Sequence, residues 1–118
     1  MTLKCLSELD QSLASSGIST EIIVCDNASV DGSPEALSKV SLQNAKYKYI
    51  QNDENVGFSK GNNQAFRESN GKYILFLNSD VMVGESNNKL NWRELLAKLE
   101  SDENLGALTV RVDVPGME

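Results

Sequence analysis

The sequence predicts an α/β domain of three layers, with a mainly parallel sheet flanked by helices. Three observations predict it. Apolar residues recur at helical spacing in segments that alternate with short β-branched and aromatic runs. Two of those runs, 21–25 and 72–77, are apolar almost without interruption, the pattern of strands covered on both faces. Both end in Asp and Asn. Alternation of this kind implies crossovers between parallel strands, which bring the polar strand ends together at one edge of the sheet.

The elements follow in chain order. Leu3, Leu6, Leu9 and Leu13, spaced by three and four, predict a helix over residues 2–15 that stops near Ser15-Ser16-Gly17. Glu21-Ile22-Ile23-Val24-Cys25 is a strand that gives way at Asp26-Asn27. After a polar loop, Ser33 is positioned to cap a helix with Pro34 at its first position and Glu35 in its first turn. Tyr47-Lys48-Tyr49-Ile50 predicts a second, shorter strand, with 51–55 as its exit loop. Ser59 is placed to cap a helix to about Ser69, with Asn70-Gly71 as its left-handed stop. Lys72-Tyr73-Ile74-Leu75-Phe76-Leu77 predicts the central strand of the sheet, ending at Asn78-Ser79-Asp80. Asn91 with Glu94 resembles a capping box, and Trp92, Leu95, Leu96 and Leu99 form the core-facing stripe of a helix to about residue 101. Gly106 to Val112 reads as a final strand.

Bulk properties narrow the function. A chain of 118 residues fits one domain. The formal net charge of -6 disfavours a nucleic-acid partner, because binders of that class set Lys and Arg against phosphates. A phosphate ligand here needs a cation or backbone amides. No apolar run approaches the roughly 18 to 20 residues that cross a bilayer, and Met1 opens directly into a mixed segment without a signal-peptide pattern, so the expected location is cytoplasmic. Cys5 and Cys25 lack metal-ligand spacing and are expected to be reduced core residues. Histidine is absent, which leaves acid–base chemistry to carboxylates.

In α/β sheets ligands bind beyond the carboxyl ends of the strands. Here that edge carries Asp26, Asn27, Asp31, Asn78, Ser79 and Asp80. The short polar side chains of 26–33 can accept hydrogen bonds from a ligand, and they can equally close a tight turn on their own backbone. Asn55-Val56-Gly57-Phe58-Ser59-Lys60-Gly61-Asn62-Asn63 offers glycines that let backbone approach a ligand, a helix N-terminus suited to phosphate, and the charge of Lys60. It has neither P-loop nor dinucleotide-fingerprint spacing, and a plain loop and cap explain it as well. Asp80 can hold a hard divalent ion against a diphosphate, or cap the turn after its strand.

In this order the three segments resemble family 2 glycosyltransferases, which have the GT-A nucleotide-diphospho-sugar transferase fold. Residues 24–33 look like the second-strand motif of the family, 55–63 like its NxGFxxGNN segment and 73–81 like its DXD-bearing strand. The rhamnosyltransferase-like branch, active in bacterial cell-surface polysaccharide synthesis, is the most similar. The resemblance implies that Asp26 contacts the nucleotide base, that Asn55, Gly57 and Asn62 shape the donor pocket, and that Asp80 binds the Mg²⁺ or Mn²⁺ bridging the diphosphate. Asn27, Asp31, Lys60 and Asn78 complete the candidate donor-binding set. Asn78 stands where a DXD has its first Asp, which leaves the metal more dependent on Asp80.

The resemblance also implies a nucleotide-diphospho-sugar donor, a glycan or lipid-linked acceptor, inversion at the anomeric carbon, and peripheral membrane contact in the full enzyme. The family's opening strand, which lies between those placed here at 21–25 and 72–77, has no counterpart in the sequence, nor has the acceptor half with its acidic catalytic base. Residues 1–118 are therefore expected to form a single partial nucleotide-sugar-binding domain. Its strand edges would be open to self-association. The alternative is a non-catalytic remnant with at most weak nucleotide binding. A receiver-like signalling domain fits less well, since no acidic pair ends the first strand.

Overall fold

The computed structural model describes residues 1–83 and 90–110. In order the chain forms α1 (Thr2–Leu13), β1 (Glu21–Asp26), α2 (Ser33–Ser38), β2 (Lys46–Gln51), α3 (Phe58–Arg67) and α4 (Trp92–Ser101). The strands pair in parallel, in register from Glu21 opposite Lys46 to Asp26 opposite Gln51. Hydrogen bonds from Lys46 N to Thr20 O and from Asn52 N to Asp26 O extend the ladder at both ends.

The pleat assigns the two faces. Cys25 meets Gln64 of α3, and Lys48 pairs with Glu68 just beyond α3, so Ile23, Cys25, Lys48 and Ile50 face that helix. Tyr47, whose hydroxyl donates to Leu37 O at 3.0 Å, lies with Tyr49, Ile22, Val24 and Asp26 on the opposite face, toward α2. Helices on both faces of a parallel sheet give the α/β layering the sequence predicts.

Cys5, Leu6, Leu9 and Leu13 of α1, with Leu37 and Val83, are the buried apolar side chains among the described residues. One carboxylate ties α1 to the approach of β2. Buried Asp10 accepts Gln43 N and Asn44 N, each at 2.9 Å, on separate oxygens. Burial opposes its charge, but the N–H groups of Gln43, Asn44 and Ala45 and the Asn44 side chain outweigh this and hold its pKa below the ordinary value. Just beyond the C-terminus of α1, Gly17 turns the chain at φ +67°, and α4 docks beside it. Trp92 Nε1 donates to Ser12 Oγ at 2.9 Å, and Arg93 Nε donates to Ser16 O. Asn91 caps α4 by accepting Glu94 N, as the capping-box spacing predicts.

Several sequence expectations are corrected. Among the described residues the sheet has two strands. Residues 72–77 form no strand, and Ile74, Leu75 and Phe76 are 38%, 56% and 60% exposed. Residues 106–110 are likewise irregular, while Arg111 and Val112 of that predicted strand lie outside the described residues. An apolar run becomes a strand only where a neighbour satisfies its N–H and C=O groups, and neither run has one among the described residues. Helix α2 begins at Ser33, with Gly32 at the cap and Asp31, not Ser33, supplying the acceptor. Helix α3 begins at Phe58, one residue before the expected cap. The Trp92, Leu95, Leu96 and Leu99 stripe is only half-buried; α4 is held by Trp92 and Arg93 at the end of α1 and by Glu100, which pairs with Lys72. Cys25 is half-buried; both cysteines are free thiols.

The unmet packing shows in the surface. Val30, Phe58 and Phe66 are 101%, 72% and 52% exposed. One edge of β1 is open as well. Thr20 O and Asp26 O point at β2, so the alternation of a parallel ladder turns the N–H and C=O groups of Ile23 and Cys25 outward. They find no third strand among the described residues.

Candidate donor-binding site

The carboxyl ends of β1 and β2 are adjacent, and the loops that leave them are joined by side chains. Asp26 ends β1 at 6% exposure. Its Oδ1 accepts Ser29 N at 3.0 Å and Ser29 Oγ at 2.6 Å, and its Oδ2 accepts the Tyr49 hydroxyl at 2.9 Å. Burial raises its pKa, but these three donors prevail and keep it below the ordinary carboxylate value. The same contact, with burial as the larger cause, pushes Tyr49 up to about 12. Asp26 thus closes its own loop and pins β1 to β2. The turn it closes carries Ala28 in the left-handed region, φ +62°, which favours glycine over a residue with a Cβ.

Asn27, the next residue, reaches the other face. Its Nδ2 donates to Gly57 O at 3.3 Å, and its Oδ1 accepts Asn52 Nδ2 at 3.0 Å. Asn52 also exchanges two hydrogen bonds with Gln64: its Nδ2 donates to Gln64 Oε1 at 2.9 Å, and Gln64 Nε2 donates to its Oδ1 at 3.0 Å. The two glycines have separate reasons. Gly57 sits at φ +83°, ψ 164°, a conformation side chains avoid. Buried Gly61 leaves room for Asn27, whose amide atoms lie 3.3 Å from where a Cβ would stand.

The other sequence-predicted residues are placed as follows. Asn55 Oδ1 accepts Gly57 N at 3.0 Å and shapes the turn into α3. Asn62 Nδ2 returns to Phe58 O at 3.0 Å within the helix. Lys60 is exposed and forms no ion pair among the described residues. Asp31 is exposed; the hydroxyl and N–H of Ser33 lower its pKa, and the N–H lies at 2.8 Å. Asn78 and Asp80 are exposed, with Asn78 O accepting Val81 N at 3.2 Å. The charge of Asp80 acts on Cys5, whose pKa is raised by burial first, then by Glu8 and Asp80.

The structure therefore joins Asn27 and Gly57 directly and sets Asp26 and Asn55 beside them. No hydrogen bond or ion pair among the described residues links Asn78 or Asp80 to this group. Sequence reasoning missed Asn52, Gln64, Tyr49 and Ser29. A signal for Asn52 was present: it follows the second strand as Asn27 follows the first, and parallel register puts such residues side by side.

No three acidic, Cys or His side chains among the described residues gather into a metal site. The donor set at 78–80 is one carboxylate with amide and backbone oxygens. That set suits a hard ion such as Mg²⁺ only when a substrate's phosphates supply further ligands.

The family model described as glycosyl transferase family 2 matches residues 3–118, and the chain belongs to that family. Membership implies a nucleotide-sugar donor and an acceptor, and members generally use a divalent metal. No curated protein and no solved structure matches the chain.

Proposed function

We propose that these residues form the donor-binding part of an enzyme that transfers a sugar from a nucleotide-diphospho-sugar to an acceptor hydroxyl. The observation that carries this reading is the Asn27–Gly57 contact over Gly61. It joins two of the three family-like segments at the carboxyl edge of the parallel strands, where α/β sheets take ligands. Around it, Asp26, Asn27, Asp31, Asn55, Gly57, Lys60, Asn62 and Asn78 serve the donor, with the N-terminus of α3 and Lys60 on the phosphate side. Asp80 would hold Mg²⁺ or Mn²⁺ together with a bound diphosphate, and the ion would supply charge stabilisation for the leaving diphosphate. The acceptor is a glycan or lipid-linked hydroxyl of cell-surface polysaccharide synthesis, the setting of the rhamnosyltransferase-like branch. The proposed location is cytoplasmic, with peripheral membrane contact in the full enzyme.

Residues 1–118 act in this reading as part of a larger catalytic domain, and the open edge of β1 supports that. The same edge, with exposed Ile74, Leu75 and Phe76, supports self-association through strand edges.

A second reading, a non-catalytic remnant, is favoured by one observation: both oxygens of Asp26 are already engaged within the chain. Calorimetric titration with UDP, dTDP, GDP and ADP, with and without Mn²⁺, separates the two. Metal-dependent binding of one of them that Asp80→Ala abolishes supports the donor site. Absence of binding to all four supports the remnant.

A further inference from the structure

The carboxamides of Gln64, Asn52 and Asn27 form a continuous relay that ends on the carbonyl of Gly57. Each link joins a different part of the chain: α3, the exit of β2, the exit of β1, and the cap of α3. Asn52 is its centre. Its backbone N–H extends the ladder by bonding Asp26 O at 2.9 Å, which fixes where its side chain starts. The reciprocal pair with Gln64 then fixes how the carboxamide is turned, because a flip would set oxygen against oxygen and NH₂ against NH₂. So oriented, Asn52 presents NH₂ to Asn27 Oδ1, and Asn27 must turn its own NH₂ to Gly57 O. The Cys25 thiol lies 3.5 Å from Asn52 Nδ2 as a weaker partner.

We propose that Asn52 is a positioning residue of the donor site, acting through Asn27 to hold the β1 exit loop against the Gly57 turn. This inference rests on the donor-site reading above. Neither loop has regular structure to fix its distance from the other, and the relay is the side-chain connection between them among the described residues. Gly61 supports the same arrangement by leaving the space in which Asn27 lies.

A double-mutant cycle on nucleotide-diphosphate affinity tests it, using whichever of UDP, dTDP, GDP or ADP binds the wild-type chain with Mn²⁺. Asn52→Leu removes the hydrogen bonds at similar size, and Asn27→Ala removes the group through which Asn52 acts. Each single change is expected to weaken binding about five- to tenfold, the scale of one or two neutral hydrogen bonds. The double variant is expected to lose no more than either single one, since the two residues act as a unit. Should Asn52→Leu fail to fold, Asn52→Asp keeps the shape while replacing the donor with an acceptor, and gives the same readout. Wild-type affinity in the Asn52 variants, or losses that multiply in the double variant, would overturn the positioning role while leaving the donor site standing. If the wild type binds none of the four, the donor-site reading falls and the relay is purely structural.

Discussion

The hydroxyl of Tyr49 donates to Oδ2 of Asp26 at 2.9 Å, across the two strands and at the edge where their loops begin. The pair gives a nearly buried carboxylate its third donor and locks the end of β1 to β2. Tyr49→Phe removes that donor and leaves one carboxylate oxygen without a partner. The expected loss is about 1–2 kcal/mol in urea denaturation. The pair also has an alkaline signature. Burial and the Asp26 contact raise Tyr49 to about 12 in the folded chain, above the roughly 10 of an unfolded tyrosine. Its stabilising contribution is therefore complete below about pH 10 and lost as pH rises toward the folded value. Ultraviolet titration should show a tyrosinate step near pH 12 that Tyr49→Phe removes.

Asp10 makes the acid-side prediction. Its folded pKa is lowered, so it stabilises the chain fully above the unfolded value of about 3.9 and loses that contribution as pH falls through the folded value. Asp26 acts in the same direction. Asp10→Ala strands the N–H groups of Gln43 and Asn44 and is expected to cost about 2–3 kcal/mol at pH 7. Urea midpoints of wild type and variant should converge as pH is taken from 6 to 3. A gap that stays constant with pH would contradict this role.

How much of this was legible in the sequence depends on whether local pattern or distant pairing decides each element. The leucine spacing of α1, the β-branched run of β1 and the Asn91–Glu94 cap are local signals, and all three formed. The run Ile74-Leu75-Phe76-Leu77 has an equally strong local signal, yet strand formation needs a partner along its whole length, and the described chain offers none. The site divides the same way. Asn27 and Gly57 stood out through their polar and glycine-rich contexts. Gln64 is an ordinary amide in sequence, whereas Asn52 follows β2 as Asn27 follows β1; the parallel register and the turn of α3 bring the three together. Asp26 stood out as a candidate ligand contact; within the chain its Oδ1 closes the local turn and its Oδ2 holds Tyr49 on the neighbouring strand.

Gly57 and Gly61 should respond differently to alanine. At Gly57 the surrounding space is open, so the cost is conformational, about 1–3 kcal/mol for a side chain at that φ and ψ. At Gly61 a helix-interior alanine gains about 1 kcal/mol of propensity, while its Cβ crowds Asn27 at 3.3 Å. Gly61→Ala is therefore expected to leave the urea midpoint almost unchanged yet shift the Asn27 side-chain NH₂ resonances. Equal destabilisation by both changes would contradict these separate roles.

Self-association has a backbone test. The N–H of Ile23 points to the open edge of β1, so Ile23→Pro removes a donor there without breaking the pairing with β2, a position where an edge strand tolerates proline. Light scattering at high micromolar concentration should show species larger than the monomer for wild type and a shift toward monomer for the variant. A wild-type chain that stays monomeric would contradict the proposal.

In the proposed function the β1 exit loop, the Gly57 turn and Asp80 serve one bound nucleotide diphosphate. Paramagnetic broadening of amide resonances by Mn²⁺, recorded with the best-binding diphosphate of the calorimetric panel, tests this most directly. Strong broadening is expected at 78–81 with a weaker zone over 26–31 and 55–62, all dependent on the diphosphate and lost in Asp80→Ala. Broadening that ignores the diphosphate, or that spares both loops while the diphosphate is bound, would contradict it.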